Sequence, residues 1–395
     1  MHRLVISTVG TSLLTNQIRL RVDPKKWTEL IDRTANLTQE QISYSFPEVI
    51  EIITELEQRA KKKLDEGNTL EIRDTSAELN GIYGLYKEQL SQAYQDIHWL
   101  IASDTAQAKV TADLLQLFLK SNGLNTSIYI PKQLSTNCNE DFANGIDELL
   151  KWFEELIPGY RDNSYEICFN LVGGFKAIQG FANTIGMFYA DKIIYIFEGS
   201  KEIITIPRLP ITIDTSVIKP VEFALMASDA DIWMPLSELQ GVRESLLFIV
   251  DQEVKLSNWG RLTWNNCKRE LLTKDLLQFP RLVYDQSFEK DYKRKNVDAQ
   301  RKLELHEVLA EISASMLKFN GNTTLFDSRL HFTRYEGQQR CEGGVKKNEI
   351  DHFYMNNDGW RVSCIVKQKD ISEKEKIKLL HMRHFGEHDY VNDNP

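Results

Sequence analysis

Cysteine is scarce in this sequence, and no two cysteines have the spacing of a metal-binding or redox pair. The chain contains five cysteines and no CxxC pair: Cys138, Cys168, Cys267, Cys341 and Cys364. An odd and scattered set favours reduced, mostly buried thiols over a disulfide framework or a zinc knuckle. The C-terminal part also lacks carboxylates clustered at ligand spacing. We therefore expect neither a metal nor a cofactor.

Long apolar runs are missing too. The longest, such as 193–197, have the length of a strand, whereas a membrane helix needs roughly 18 apolar residues. The N-terminus lacks the charged region, apolar core and cleavage site of a signal peptide, since its first apolar run ends at Ser7. The sequence therefore predicts a cytoplasmic protein without a membrane partner.

Glycine, proline and net positive charge are all in short supply. The 395 residues include 20 glycines and 10 prolines, and 42% of them are apolar and 27% charged. This is the composition of a packed globular chain, and at about 150 residues per domain its length predicts two or three domains. Nonspecific coating of nucleic acid requires many neutralised phosphates, so a net charge of −9 indicates that any RNA is bound at a local site.

The first 220 residues alternate β-rich runs with helical patterns, which predicts an α/β domain with a doubly wound parallel sheet. Pro207, Pro210 and Pro220 mark its end, because proline is poorly tolerated inside regular elements. The predicted strands are 4–8, 99–102, 126–130, 165–171 and 192–197. The predicted helices are 47–64, 75–94, 105–119, 141–156 and 175–189.

Two further segments follow. Residues 221–300 have a helical pattern and are predicted to be a connector or dimerisation module, leading into a highly charged helix at 288–317 whose basic face we interpret as solvated. Residues 301–395 predict a small α+β domain whose antiparallel sheet comprises strands 330–335, 349–355, 360–367 and 377–382. The segment Asn356-Asn357-Asp358-Gly359 is a strong hairpin signal between the second and third of these strands.

Small polar turns follow three of the N-terminal strands. Gly10-Thr11-Ser12 comes after the first strand, Ser103-Asp104 after the second, and Asn170-Leu171-Val172-Gly173-Gly174-Phe175-Lys176 runs from a later strand into a helix. Open α/β sheets bind ligands at this edge, where glycine lets backbone amides approach a phosphate. Neither the P-loop pattern nor the GxGxxG fingerprint is present. The turns therefore predict a site for a small anionic ligand.

Together these turns resemble those of the CARF domain of CRISPR ancillary effectors, a Rossmann-like fold, over roughly residues 1–220. The resemblance implies a homodimer that binds a cyclic oligoadenylate, with cyclic tetra-adenylate favoured, as the activator in type III CRISPR antiviral defence. Some CARF domains also cleave their ligand slowly, which hydroxyl and lysine side chains here would permit. The implied ligand-binding residues are Gly10, Thr11, Ser12, Ser103, Asp104, Gly173, Gly174 and Lys176.

The C-terminal part resembles the RelE family of toxin ribonucleases over about residues 300–395. The resemblance rests on Gly359-Trp360-Arg361-Val362, on His381-Met382-Arg383-His384 and on His388-Asp389-Tyr390-Val391. In the preceding strand, where several relatives carry lysines, this chain has His352 and Tyr354. The resemblance implies a metal-independent endoribonuclease that cuts mRNA on the ribosome, so the ribosome and mRNA are expected partners.

Metal-free RNA cleavage needs a base, an acid and cations at the scissile phosphate. We expect Arg361 and Arg383 to bind the phosphate, because guanidinium groups stay charged. Trp360 or Tyr354 is expected to stack on a base. The acid and base roles are shared among His352, His384, His388 and Tyr390.

Two alternatives remain open. Arg383 and His388 also fit the Arg-x4-6-His pattern of HEPN ribonucleases, which would cut free RNA, but that motif sits in a helix and this one follows a β-rich run. The other alternative is a ligand-responsive winged-helix regulator with a basic recognition helix near 259–274.

Overall fold

The computed structural model divides the chain into two compact units, Met1–Thr212 and Ile213–Pro395. The structure describes residues 2–135, 138–174, 176–197, 200–355, 359–371 and 376–395. Both units combine helices with sheets, so the chain is α/β with parallel and antiparallel pairing. The domain boundaries proposed from the sequence, 220 and 300, stay predictions.

The first unit is built on a six-stranded sheet. Its strands are β1 (Arg3–Thr8), β2 (Ile97–Ile101), β3 (Asn125–Tyr129), β4 (Glu166–Asn170), β5 (Lys192–Ile196) and β6 (Ile203–Pro207). Its helices are α1 (Ser12–Thr15), α2 (Lys26–Arg33), α3 (Gln39–Ser45), α4 (Pro47–Glu66), α5 (Thr69–Thr75), α6 (Ala77–Leu85), α7 (Ala106–Ser121), α8 (Asn139–Asp162) and α9 (Lys176–Tyr189). The helix predicted at 75–94 is shorter, because α6 ends at Leu85 and a separate 3₁₀ turn follows at Leu90–Ala93.

The strand order is β3-β2-β1-β4-β5-β6, with β1 to β5 parallel and β6 antiparallel at one edge. The buried run Leu4, Val5 and Ile6 suits a strand covered on both faces. The sheet order reverses direction between β1 and β4, and open α/β sheets bind ligands at such a switch point. This topology places the turns after β1 and β4 side by side.

The second unit contains a five-stranded and a three-stranded sheet. Its strands are β7 (Met234–Pro235), β8 (Leu247–Val250), β9 (Glu253–Leu256), β10 (Leu282–Tyr284), β11 (Thr333–Arg334), β12 (Asp351–Tyr354), β13 (Trp360–Asp370) and β14 (Lys376–Glu387). Its helices are α10 (Pro220–Ala227), α11 (Asn258–Leu272), α12 (Gln286–Tyr292), α13 (Ala299–Lys318) and α14 (His388–Asp393).

Two expectations for the middle of the chain were wrong. Residues 221–300 are not purely helical, since β7, β9 and β8 form a small sheet and β10 joins the large sheet beside β14. The charged helix expected at 288–317 is two helices, because the Asp298 side chain caps the N-terminus of α13 by accepting the Arg301 amide. These short strands carry too few residues for an alternating pattern to be recognised.

The five-stranded sheet has the order β10-β14-β13-β12-β11 and separates an apolar face from a polar one. Phe353, Val362 and Phe385 lie opposite one another in the register and belong to the same buried core as α13. Residues 356–358 of the predicted hairpin lie outside the described residues, although β12 and β13 on either side pair antiparallel. The alternate positions of these strands therefore face away from the core.

Candidate ligand and active sites

The two glycine turns of the first unit meet at the switch point. Gly10 lies so close to Gly174 that a Cβ built on it would be 2.9 Å from the Gly174 nitrogen. Gly174 has φ +115°, and a Cβ there would lie 2.9 Å from the Thr8 side chain. Only glycine accommodates both the positive φ and this backbone approach. The two turns, which the sequence predicts separately, are therefore in contact in the folded chain.

A buried carboxylate, which sequence reasoning missed, lies against both turns. Glu78 is fully buried, and its Oε1 accepts the Gly10 amide at 2.8 Å. Its Oε2 accepts the hydroxyls of Ser76 at 2.7 Å and Ser12 at 3.3 Å. A Cβ on Gly173 would be 2.1 Å from Glu78 Oε1. The carboxylate thus occupies a position to which these donors point, and an incoming anion would compete with it for them.

The remaining predicted ligand residues surround this centre less closely. Ser103 follows β2 and is buried, with its hydroxyl 3.1 Å from that of Thr105. Asp104 pairs with Lys109 at 2.5 Å. Thr11 is the half-buried N-cap residue of α1, and Lys176 is exposed at the first residue of α9. Gly10, Ser12, Gly173 and Gly174 are therefore the predicted residues that converge, with Lys176 on the surface beside them in sequence.

In the second unit, the polar face of the five-stranded sheet carries three of the predicted catalytic residues, Arg361, His352 and His384. Directly opposed residues of antiparallel strands share a face, so Tyr354 and Arg361 form one row with Gly386. His352 forms the next row with Ser363 and His384. Arg361 and His384 consequently lie in adjacent rows of one face.

His384 is the centre of a hydrogen-bonded cluster. Its Nδ1 lies 3.0 Å from Asp291 Oδ2 and 3.2 Å from the Tyr390 hydroxyl. The Tyr390 hydroxyl also donates to Asp291 Oδ1 at 3.1 Å. Burial and the Asp291 charge raise the pKa of Tyr390 above its ordinary value, which keeps its hydroxyl protonated. The Arg294 guanidinium lies 3.8 Å from the centre of the Tyr390 ring.

A cleft of about 480 Å³ opens beside this cluster. Lys290, Arg294 and Arg383 bring positive charge to its wall, and Glu342 and Asp291 bring negative charge. Its remaining lining residues include Asp285, Gln286, Ser287, Gly343, His384 and Tyr390. Cations, an imidazole and a phenol on one cleft are groups that can hold a phosphodiester and move protons on it.

Arg361 and His352 lie beside the cluster, with partners of their own. The Arg361 guanidinium donates to the Tyr354 hydroxyl at 2.5 Å and to Asn392 Oδ1 at 3.1 Å. His352 stacks on Tyr335 with ring centres 4.2 Å apart. Burial, with the Arg361 and His388 charges, lowers the pKa of His352 to about 4. His352 is therefore neutral at pH 7 and poorly suited to act as an acid there.

The last residues of the chain cover several of these cations. Lys347 Nζ donates to the Asn392 carbonyl at 2.9 Å, and Arg383 Nε donates to the Pro395 carbonyl at 3.1 Å. The Asn392 side chain also bonds His388, which is half exposed. His388 Nδ1 lies 2.7 Å from Asp389 Oδ1. An RNA phosphate that binds Arg361 or Arg383 would therefore compete with oxygens of residues 392–395.

Asp291 and Arg294 were missed because both lie within the segment interpreted as a connector, Asp291 in α12 and Arg294 just after it. The sequence shows only that both belong to a charged segment, and this segment lies far along the chain from His384 and Tyr390. The HEPN alternative is not favoured by the local structure, since Arg383 lies in β14 and His388 begins α14. The basic residues of α11 bond within their own unit, Lys268 to Glu307 for example.

The described part of the chain lacks two kinds of feature. No group of three or more His, Cys, Asp or Glu side chains is placed there to hold a metal ion. No helix in that part has the length and apolarity that crossing a bilayer requires.

Comparison with known proteins gives one family. Residues 73–209 match the model of a family described as CRISPR-associated protein (Cas_APE2256). The matched stretch lies in the first unit and extends from α5 through β6, so it includes Glu78 and the turn after β4. It covers less than half of the chain and supports a CRISPR-associated protein. No curated protein matches the chain.

Proposed function

We propose, from this CRISPR association, that the chain is a ligand-activated endoribonuclease of type III CRISPR antiviral defence. The first unit binds a cyclic oligoadenylate, and the second cuts mRNA on the ribosome. The observation that supports the proposal best is the cleft at which Arg383, His384 and Tyr390 come together. Arg383 and His384 lie on one sheet with Arg361, and Tyr390 reaches His384 from α14. Together these groups match the chemistry of RNA cleavage without a metal.

The reaction is an attack by the RNA on itself. A base removes the proton of the 2′-hydroxyl, O2′ attacks phosphorus, the P–O5′ bond breaks, and an acid supplies the proton that O5′ takes. The products are a 2′,3′-cyclic phosphate and a 5′-hydroxyl. Arg361 and Arg383 hold the phosphate. His384 and Tyr390, which line the same cleft as Arg383, are the proton-transfer groups, and His352 and His388 are the other candidates. Tyr354 stacks on a base, whereas Trp360 is 8% exposed and belongs to the buried core.

The sensor proposal rests on the contact between the turns after β1 and β4. Backbone amides at such turns suit phosphate oxygens, and Lys176 adds an exposed positive charge at the start of α9. A homodimer would bring two copies of this site to one ring. Because the whole chain carries a net charge of −9, the ribosome would supply much of the RNA-binding surface that it lacks.

The full chain is tested on mRNA bound to translating ribosomes and on the same mRNA free, each with and without cyclic tetra-adenylate. We expect cleavage that requires both ribosomes and the ligand, and 2′,3′-cyclic phosphate ends. We expect the His384→Ala variant to be inactive. Arg340→Ala, which replaces an exposed residue of the same unit, is the control that should stay active.

Other outcomes would point elsewhere. Ends that carry 5′-phosphates would indicate a metal nuclease. Ligand-dependent cutting of free RNA at the same rate would favour the HEPN-type ribonuclease, and specific DNA binding without any cleavage would favour the regulator.

A further inference from the structure

We propose that Asp291 is a positioning residue that holds His384 in one tautomer and orientation for proton transfer. This inference rests on the proposed ribonuclease function. Asp291 lies in α12, 93 residues before His384 in the chain.

Asp291 is 2% exposed and is surrounded by donors. Oδ2 accepts the Phe385 amide at 3.2 Å and faces His384 Nδ1 at 3.0 Å. Oδ1 accepts the Tyr390 hydroxyl at 3.1 Å and pairs with Arg294 at 2.6 Å. A carboxylate with this many donors acts as an acceptor, so the proton of neutral His384 is on Nδ1.

The opposite nitrogen of His384 is then the reactive one. Nε2 lies 3.6 Å from Glu342 Oε2, and the Glu342 side chain is 79% exposed, so it can move away at little cost. Glu342, His384 and Arg383 line the same cleft. A phosphodiester held there by Arg383 would therefore meet Nε2 as an unprotonated base.

The proton balance follows from this geometry. Nε2 takes the proton of the 2′-hydroxyl as O2′ attacks phosphorus, and O5′ leaves with a proton from water. The imidazolium that forms is stabilised by the Asp291 carboxylate, which keeps its own protonation state. His384 afterwards returns its proton to solvent. Asp291 therefore acts through His384 without touching the RNA.

Asp291→Asn tests this role, because its amide would present a donor to Nδ1 and favour the wrong tautomer. We expect kcat on ribosome-bound mRNA to fall at least about 100-fold with KM nearly unchanged. Asp351→Asn is the matched control, since Asp351 is also a buried aspartate paired with an arginine, Arg334 at 2.9 Å. The control should lower the melting temperature while leaving kcat within about twofold.

The double variant Asp291→Asn/His384→Ala separates positioning from a structural role. If Asp291 acts through His384, the double variant is no slower than His384→Ala alone, because coupled residues are not additive. Additive losses, or a wild-type kcat for Asp291→Asn, would overturn the inference while leaving the ribonuclease proposal standing. A His384→Ala variant that cuts normally would instead overturn the proposed catalytic site.

A second variant covers the case in which Asp291→Asn melts below the assay temperature. Asp291→Glu keeps the charge for Arg294 but moves the carboxylate relative to Nδ1. We expect it to fold, with kcat reduced and KM unchanged. Tyr390→Phe removes the second contact of His384 Nδ1, the Tyr390 hydroxyl. If both Asp291→Glu and Tyr390→Phe keep the wild-type kcat, the positioning role is contradicted.

Discussion

Replacing Arg361 by alanine should separate the ribonuclease proposal from its HEPN alternative. The guanidinium donates to Tyr354 and Asn392 and lies 4.4 Å from the centre of the Tyr354 ring. A hydrogen bond to a charged group contributes about 1.5–3 kcal/mol to stability. Because Arg361 is only half-buried, its two bonds should together contribute less than twice that amount. We therefore expect the variant to lose roughly 2 kcal/mol of unfolding free energy. For a unit of this size that corresponds to about 4–8 °C in melting temperature.

The expected loss of activity is much larger than the loss of stability. Removing one preorganised electrostatic contact to a reacting phosphate costs on the order of a hundredfold or more in rate. Single-turnover cutting of ribosome-bound mRNA, with saturating cyclic tetra-adenylate, measures this rate below the melting temperature. Arg361→Lys keeps the charge without the planar fork, so its rate should lie between those of alanine and arginine.

Arg329→Ala is the matched control, because it removes the same charge from the same unit. Arg329 is 59% exposed and pairs with Asp327 and Asp229. Its replacement should leave the rate within about twofold. Wild-type cutting by Arg361→Ala would refute the phosphate role. If Arg383→Ala were at the same time inactive on naked RNA, the HEPN alternative would be the better account.

Three further predictions address the sensor, the tail and the stability of the second unit. Lys176→Ala should weaken the binding of cyclic tetra-adenylate about tenfold or more, because one charge-assisted contact is lost. Ligand titrations measure this, with Lys61→Ala, which replaces an exposed lysine of α4, as the control. Equal affinities of the two variants would remove Lys176 from the site. Asn392→Ala removes the side-chain oxygen that accepts from Arg361 and Tyr335. Because an RNA phosphate would then meet Arg361 without this competitor, the KM for ribosome-bound mRNA should fall. An unchanged KM would show that the Asn392 side chain does not compete with RNA. Burial lowers the pKa of His306 to about 4, and its two nitrogens bond the Leu277 amide and the Lys302 carbonyl. Since the unfolded chain takes up this proton near pH 6.5, stability is fully present above that pH and falls as the pH drops toward 4, by about 2 kcal/mol at pH 5. Urea titrations at pH 7 and pH 5 should therefore show a smaller pH effect in His306→Gln than in the wild type, and equal pH effects would contradict the assignment.

Local sequence patterns were sufficient for the elements that carry the two candidate sites. The buried runs that became β1 and β4 are short and bounded by glycine turns, which is why their ends could be located. His352 and Tyr354 occupy alternate positions of β12, and strand geometry alone places such residues on one face. In both cases the signal lies within a few neighbouring residues.

Other features depended on contacts between distant parts of the chain. Glu78 looks like an ordinary first-turn glutamate of α6, and only the packing of that turn against Gly10 and Gly173 makes it a partner of the ligand site. Asp291 reaches His384 because α12 packs on β14. The residues that can bear chemistry were readable from the sequence, whereas the choice of which carboxylate faces which donor was decided by the tertiary structure, since burial and hydrogen-bond pairing are properties of packed neighbours and not of sequence spacing.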